Sequence, residues 1–381
     1  MRPAVEQTAK LAVEQAKKQA TKHTIKSTDK RFGGFSLIEL LIAMTLGLFL
    51  VGAIISVYLA ETQIYKSTNS QATIQNAENA IAGLVTPVIR SAGFNGCSSL
   101  AQSLSNLTAG APPPLGTLTS NSNAVFGYQG GGATLTIAQD NAANDVTASD
   151  WSPALDATLV GKVQAGSDVL VLLGAMPNTA PVGVTVIPLG GTTMTLQNTT
   201  GLAVGQLGIV SDCLKSSIFQ ITAIAGNTIT HAAGGGAVGT NSTSVLAVNY
   251  QLGALFVPLQ QTAFYVAQGV GGDQSTLMRS TFSNGAWTNL SLVPGVEAMQ
   301  VLYGIGTNNV LTQYVPASAV TDWTQVYSVR IGFLIQGQLG SATTSSATPA
   351  QFKVLNTTVT VPADGRLRHI YEITINLRNA A

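Results

Sequence analysis

The feature that most constrains this chain is an apolar run, Leu40–Ala60, which carries no charge and follows a lone acid, Glu39. About twenty apolar residues in succession suffice to cross the hydrocarbon core of a bilayer as a helix. From Phe35 to Ala60 the residues read FSLIELLIAMTLGLFLVGAIISVYLA. A secretory signal peptide has a shorter apolar region, with small residues at a cleavage site after it. Here the small residues, Gly33 and Gly34, come before the run, so processing there leaves the helix on the mature chain. A carboxylate near the start of a membrane helix costs ~2.5–3.5 kcal/mol to insert and usually has a partner. Two readings of Glu39 follow: an acid that pairs with a cation, or one solvated at the interface near the positive end of the helix.

Charge is distributed unevenly. Before Phe35 there are eight Lys or Arg residues and three acids, leaving ten basic and fourteen acidic residues in the remainder. A basic segment directly before an apolar span stays on the cytoplasmic side of the membrane. The remainder has no basic excess with which to hold nucleic acid through phosphates, so no nucleic-acid partner is indicated. Only 9% of the residues are charged, against roughly a quarter in an average soluble protein. Gly, Ser, Thr, Asn and Ala take their place, a mixture suited to strands joined by uncharged loops.

The residues Lys30-Arg31-Phe32-Gly33-Gly34, then Phe35-Ser36-Leu37-Ile38-Glu39, then the apolar run, strongly resemble the leader and helix start of type IV prepilins. The resemblance implies that a prepilin peptidase cuts after Gly34, reading Gly33, Gly34 and Phe35, and methylates the new amine of Phe35. It also implies that Glu39, fifth in the mature chain, pairs with an N-terminal amine during assembly. Glycines let an extended backbone enter a protease site, and an acid buried among packed helices needs a cation. The 34-residue leader is long for this family, and no proline lies between Pro3 and Pro87. The missing helix proline argues against a role as the bulk fibre subunit.

The expected organisation is a basic leader over 1–34, removed on maturation; an assembly and membrane half of the helix over 35–60; an amphipathic half over 61–93; and a β-rich head over 94–381. Ile74, Ala77, Ile81, Leu84 and Val88 form one apolar stripe at helical spacing. Pro87 and Gly93 mark the helix end. Strands are expected at Ala133–Ala138, Asp168–Leu173, Val184–Pro188, Leu207–Ser211, Ile218–Ile224, Ser244–Tyr250 and Thr262–Ala267. Further strands are expected at Glu297–Tyr303, Val326–Ile335, Phe352–Val361 and Ile370–Leu377.

Several of these segments also resemble the large minor pilins of the PilW family. The residues concerned include Gly166-Ser167-Asp168-Val169-Leu170-Val171, Ser211-Asp212-Cys213, Phe264-Tyr265-Val266 with Leu277-Met278-Arg279, Leu292-Val293-Pro294-Gly295-Val296-Glu297, and Tyr371 with Asn376-Leu377-Arg378-Asn379. The implied fold is α+β: a long N-terminal hydrophobic helix packed on a large antiparallel β-rich head.

Two cysteines, Cys97 and Cys213, lie beyond the apolar span. A disulfide between them is favoured over two unrelated buried thiols, because an exported domain meets an oxidising compartment. No catalytic constellation stands out. HExxH, CxxC, P-loop and GxSxG patterns are absent from the sequence. His369 reads as a surface residue, His231 as part of a Gly-rich loop, and the acidic stretch Asp140–Asp145 lacks EF-hand spacing. The expectation is therefore a non-enzymatic chain without cofactor or metal.

The leading function is a minor pilin that helps start, and cap, a type IV pilus. Its partners would be other minor and major pilins, the prepilin peptidase, the inner-membrane assembly platform and membrane lipid. Its location would be the inner membrane, single-pass with the head in the periplasm, and then the pilus at the cell surface. The alternatives are a minor pseudopilin of a type II secretion system and a pilus-tip adhesin.

Overall fold

The computed structural model describes residues 36–94, 104–105, 124–137, 147–188, 190–234, 241–246, 249–250, 253–267, 269, 274–283, 286–307, 310–342 and 349–378. The chain divides into two compact units, Met1–Ala60 and Glu61–Ala381. In the first, the described residues are helical from Leu37 onward. The second contains the end of that helix, which closes at Ser91, and all the strands among the described residues.

Within the second unit the helix buries Ser70, Ile74, Ala77, Ile81, Val85 and Ile89. This corrects the expected stripe at its C-terminal end. Leu84 is 39% exposed, and Val85 and Ile89 take the inward positions instead. Successive steps of three and four residues from Ile74 keep to one face, whereas Leu84 falls a full residue's rotation, about 100°, short of Val85. Pro87 lies inside the last turn, and Gly93 ends the run at φ +79. The chain then passes onto the Val169–Ala175 strand, with Gly93 N donating to Leu173 O at 2.9 Å. A side chain at Gly174 would meet Ser91 O at 2.8 Å, so only glycine allows this approach.

The buried helix face packs on a four-stranded antiparallel sheet ordered Val310–Val315, Val296–Thr307, Val326–Gln336 and Arg368–Asn376. Their shared core includes Ile81, Val85, Met299, Val301, Tyr303, Ile331 and Phe333. Ala298 and Leu334 of the same sheet belong to a second core with Leu135, Val354 and Val359. These last come from a three-stranded sheet of Ala350–Val354, Thr357–Val361 and Thr134–Thr136. The Thr357–Val361 strand alternates buried and half-buried residues, the period of two that a strand with one covered face requires.

A larger sheet of thirteen strands centres on Leu255–Ala267, which pairs with Thr276–Ser283, Val169–Ala175, Leu207–Ser211 and Val182–Val186. The first six residues of Val169–Ala175 are all buried, which is why the sequence there reads as an unbroken apolar run. Three expected strands need correction. Ile218–Ile224 covers the end of one strand, Ser216–Gln220, and the start of another, Ala223–Ala225, with Ile221 and Thr222 outside both. Phe352–Val361 is a hairpin, because Leu355 adopts φ +51 between the two strands. Ser244–Leu246, the described start of the Ser244–Tyr250 segment, is not a strand.

Candidate functional site: the exposed half of the helix

Every described residue from Ser36 to Ala60 is exposed. The helix is long and apolar enough to cross a membrane. Leu48 and Phe49 are 76% and 79% exposed. Apolar surface on this scale is unfavourable in water at roughly 25 cal/mol per Å², so it calls for lipid or neighbouring helices. Two of its hydroxyls are satisfied within the helix. Thr45 Oγ1 donates to Leu41 O or Ile42 O at 3.0 and 2.9 Å, and Ser56 Oγ donates to Ala53 O at 2.7 Å. That arrangement is what a nonaqueous surrounding demands.

Glu39 lies in the first turn of this helix and is exposed. Gly33, Gly34 and Phe35 lie outside the described residues, as do Cys97 and the Asp140–Asp145 stretch. Cys213 occupies the turn between Leu207–Ser211 and Ser216–Gln220, at φ +69. Asp212 Oδ1 there accepts the backbone N–H groups of Leu214 and Lys215 at 3.2 and 3.1 Å.

The second half of the helix is fastened to the head by polar contacts as well as by its apolar stripe. Gln63 Nε2 donates to Ala342 O at 2.8 Å, and the buried Ser70 Oγ accepts from Gln338 N at 3.1 Å. His369 does sit at the surface, but its Nδ1 lies 2.6 Å from Glu78 Oε1 and ties the last strand to the helix. His231 does lie in a loop, directly after the Thr228–Thr230 strand, but it is buried there. It is 1% exposed against the Phe219 ring, and burial lowers its pKa from the ordinary histidine value.

Two buried polar groups were not assigned a role by sequence reasoning. Arg368 bonds both Glu297 oxygens, at 2.7 and 2.9 Å, and both Asp364 oxygens, at 2.8 and 2.7 Å. Burial works against the Arg368 charge, but the two carboxylates hold its pKa above the ordinary value. Burial raises Glu297 despite Arg368, whereas Asp364 ends below its ordinary value because Arg368 and nearby donors outweigh its burial. The second group is Asp168, which is 3% exposed and whose carboxyl burial pushes up to about 7. The pattern Gly166-Ser167-Asp168 was visible in the sequence, but the strand it would meet was not.

Among the described residues no cluster of three or more His, Cys, Asp or Glu side chains could hold a metal ion. The arrangement offers a packing surface.

Two family models match. The prokaryotic N-terminal methylation motif matches residues 29–55, and the type IV pilus-assembly protein W family matches residues 263–379. Together these matches support a type IV minor pilin of the PilW family. No curated protein and no solved structure matches it. The matched 263–379 region of this pilin holds the whole four-stranded sheet and the hairpin laid over it. The methylation-motif match overlaps the exposed helix from Ser36 to Ile55. The pilin is thus a membrane-anchored structural component that works with other parts of the pilus.

Proposed function

We propose that this pilin joins other minor pilins in a complex that initiates a type IV pilus and remains at its tip. The observation that carries the reading is Glu39, the only charged residue in the exposed, apolar Leu37–Ala60 segment. An acid so placed is costly in lipid and finds its partner in the N-terminal amine of a neighbouring subunit. The leader, 1–34, is removed by cleavage after Gly34, and Phe35 becomes the methylated first residue. The 35–60 segment then anchors the chain once through the inner membrane. The 61–93 segment backs the head, 94–381, in the periplasm until assembly carries it to the cell surface.

The deciding experiment is co-purification of partner pilins with wild type and Glu39→Ala, with cleavage followed by mass spectrometry in the same samples. Wild type should begin at methylated Phe35 and bring down its partners. Glu39→Ala should be cleaved and inserted but lose them, since removing one member of a buried pair costs ~3–5 kcal/mol. Normal partner recovery by the mutant overturns the pairing mechanism, and an intact leader overturns the processing.

A Cys97–Cys213 disulfide belongs to the same proposal, supported by Cys213 being bonded rather than a free thiol. Closing a loop of this length stabilises the fold by ~4–5 kcal/mol in the chain-entropy model. Non-reducing peptide mapping tests it, and two free thiols in the exported protein count against it.

A further inference from the structure

The four-stranded sheet ends in two edges of opposite character. One is the Arg368–Asn376 strand. Its Arg368 is paired with Glu297 and Asp364, its His369 with Glu78 and its Glu372 with Arg330. Charged side chains on an edge strand discourage pairing with another chain. The other edge is the Val310–Val315 strand, VLTQYV, which has no charge and pairs on one side only, with Val296–Thr307. Val310 is 63% exposed and Leu311 43% exposed, and Thr312 and Gln313 are exposed beside them.

The adjoining part of the Val296–Thr307 strand is closed. Met299 N donates to Ser167 Oγ at 3.0 Å, and Val301 N donates to the Asp168 carboxylate at 2.8 Å. From Tyr303 to Thr307 the same strand is covered by Val310–Val315 itself. Side chains therefore seal one stretch and a strand seals the next, while the outer edge of that covering strand has no strand partner among the described residues. A row of uncovered backbone groups on a β-rich, uncharged strand is a template for strand addition.

We propose that the Val310–Val315 edge receives an extended, uncharged segment of another pilus component, added to the sheet through backbone hydrogen bonds. The inference rests on the minor-pilin reading above. The edge offers no charge, so a charged segment would lose hydration there without gaining a partner. A second copy arriving freely through six residues would bury far less than the ~1,200 Å² of a stable interface. A segment held alongside by helix packing meets the edge at an effective concentration on the order of millimolar, where a short pairing suffices.

The test is hydrogen exchange of the Val310–Val315 amides in the full chain in detergent, alone and within the co-purified pilin complex. A Leu311→Lys/Gln313→Lys variant is measured alongside, both positions being exposed and the substitutions compatible with the fold. Exchange should slow about tenfold or more in the wild-type complex and stay fast in the variant. Equal exchange in the complex and in the free chain, with partners present, overturns the proposal and leaves the pilin reading standing. So does slowing that the lysines do not abolish. Slowing that grows with the concentration of the chain alone assigns the edge to a second copy and overturns the proposal as well. Absence of any partner in the wild-type sample instead marks failure of the minor-pilin reading, and the inference falls with it.

Discussion

The Asp168 carboxylate accepts the backbone N–H of Val301 at 2.8 Å, across 133 positions of sequence. Its other oxygen accepts Gly130 N at 2.8 Å. Asp168 N and Ser167 Oγ both donate to Met299 O, at 2.8 and 3.1 Å, and Trp151 Nε1 donates to Ser167 O at 2.9 Å. Gly166-Ser167-Asp168 thus joins the thirteen-stranded sheet to the four-stranded one by completing an edge with side chains in place of a strand. Each donor so satisfied would otherwise be a buried, unpaired backbone group.

Burial holds the Asp168 carboxyl at about 7 in the folded state, from an ordinary 3.8. The folded chain therefore binds this proton more tightly than the unfolded chain. The associated stability is fully present below about pH 4 and is lost as pH rises through about 7. Asp168→Asn should flatten that part of the pH profile. It should also lower stability by about 1–3 kcal/mol, because an amide nitrogen facing a backbone N–H has no lone pair, whereas the hydroxyl of a protonated acid keeps one. Thermal unfolding of both proteins from pH 4 to 8 checks this. A wild-type profile parallel to that of the variant contradicts it.

Tyr303 Oη is buried, and no hydrogen-bond partner for it occurs among the described residues. A Cβ built at Gly127 falls 1.9 Å from that oxygen, so Gly127 is what makes room for it. Tyr303→Phe removes an unsatisfied group and is expected to be neutral or stabilising. Gly127→Ala is expected to cost about 1–3 kcal/mol through overpacking. In the Tyr303→Phe background that cost should shrink, which a double-mutant cycle by chemical denaturation measures directly.

The two faces of the helix should respond differently to truncation. Ile81 is fully buried against the sheet, whereas Leu84 is 39% exposed. Ile81→Ala is expected to cost about 2–5 kcal/mol and Leu84→Ala less than about 1 kcal/mol. Equal losses in denaturant titrations would mean that Leu84 also packs inward.

The membrane-length helix was legible in the sequence because one segment of about twenty apolar residues is a local signal that needs no partner. The same holds for strands such as Val326–Gln336, which is dense in β-formers, with Val329, Ile331 and Phe333 at alternate positions. The Val310–Val315 strand escaped notice although it is made of β-formers, since it is short and only its pairing with Val296–Thr307 defines it. Glu39 declared itself by being an acid beside an apolar run. Asp168, Glu297 and Arg368 did not, because an isolated acid or base in a sequence looks the same whether it meets water or a buried partner.

Local composition thus determined the α+β layout, the apolar anchor and the absence of charge over long stretches of the head. Tertiary structure decided which helix residues point inward, which strand edges are sealed or open, and where the buried charges lie. Those properties depend on contacts between residues such as Asp168 and Val301, or Glu78 and His369, and a contact across more than a hundred positions leaves no periodicity in the chain for a reader to find.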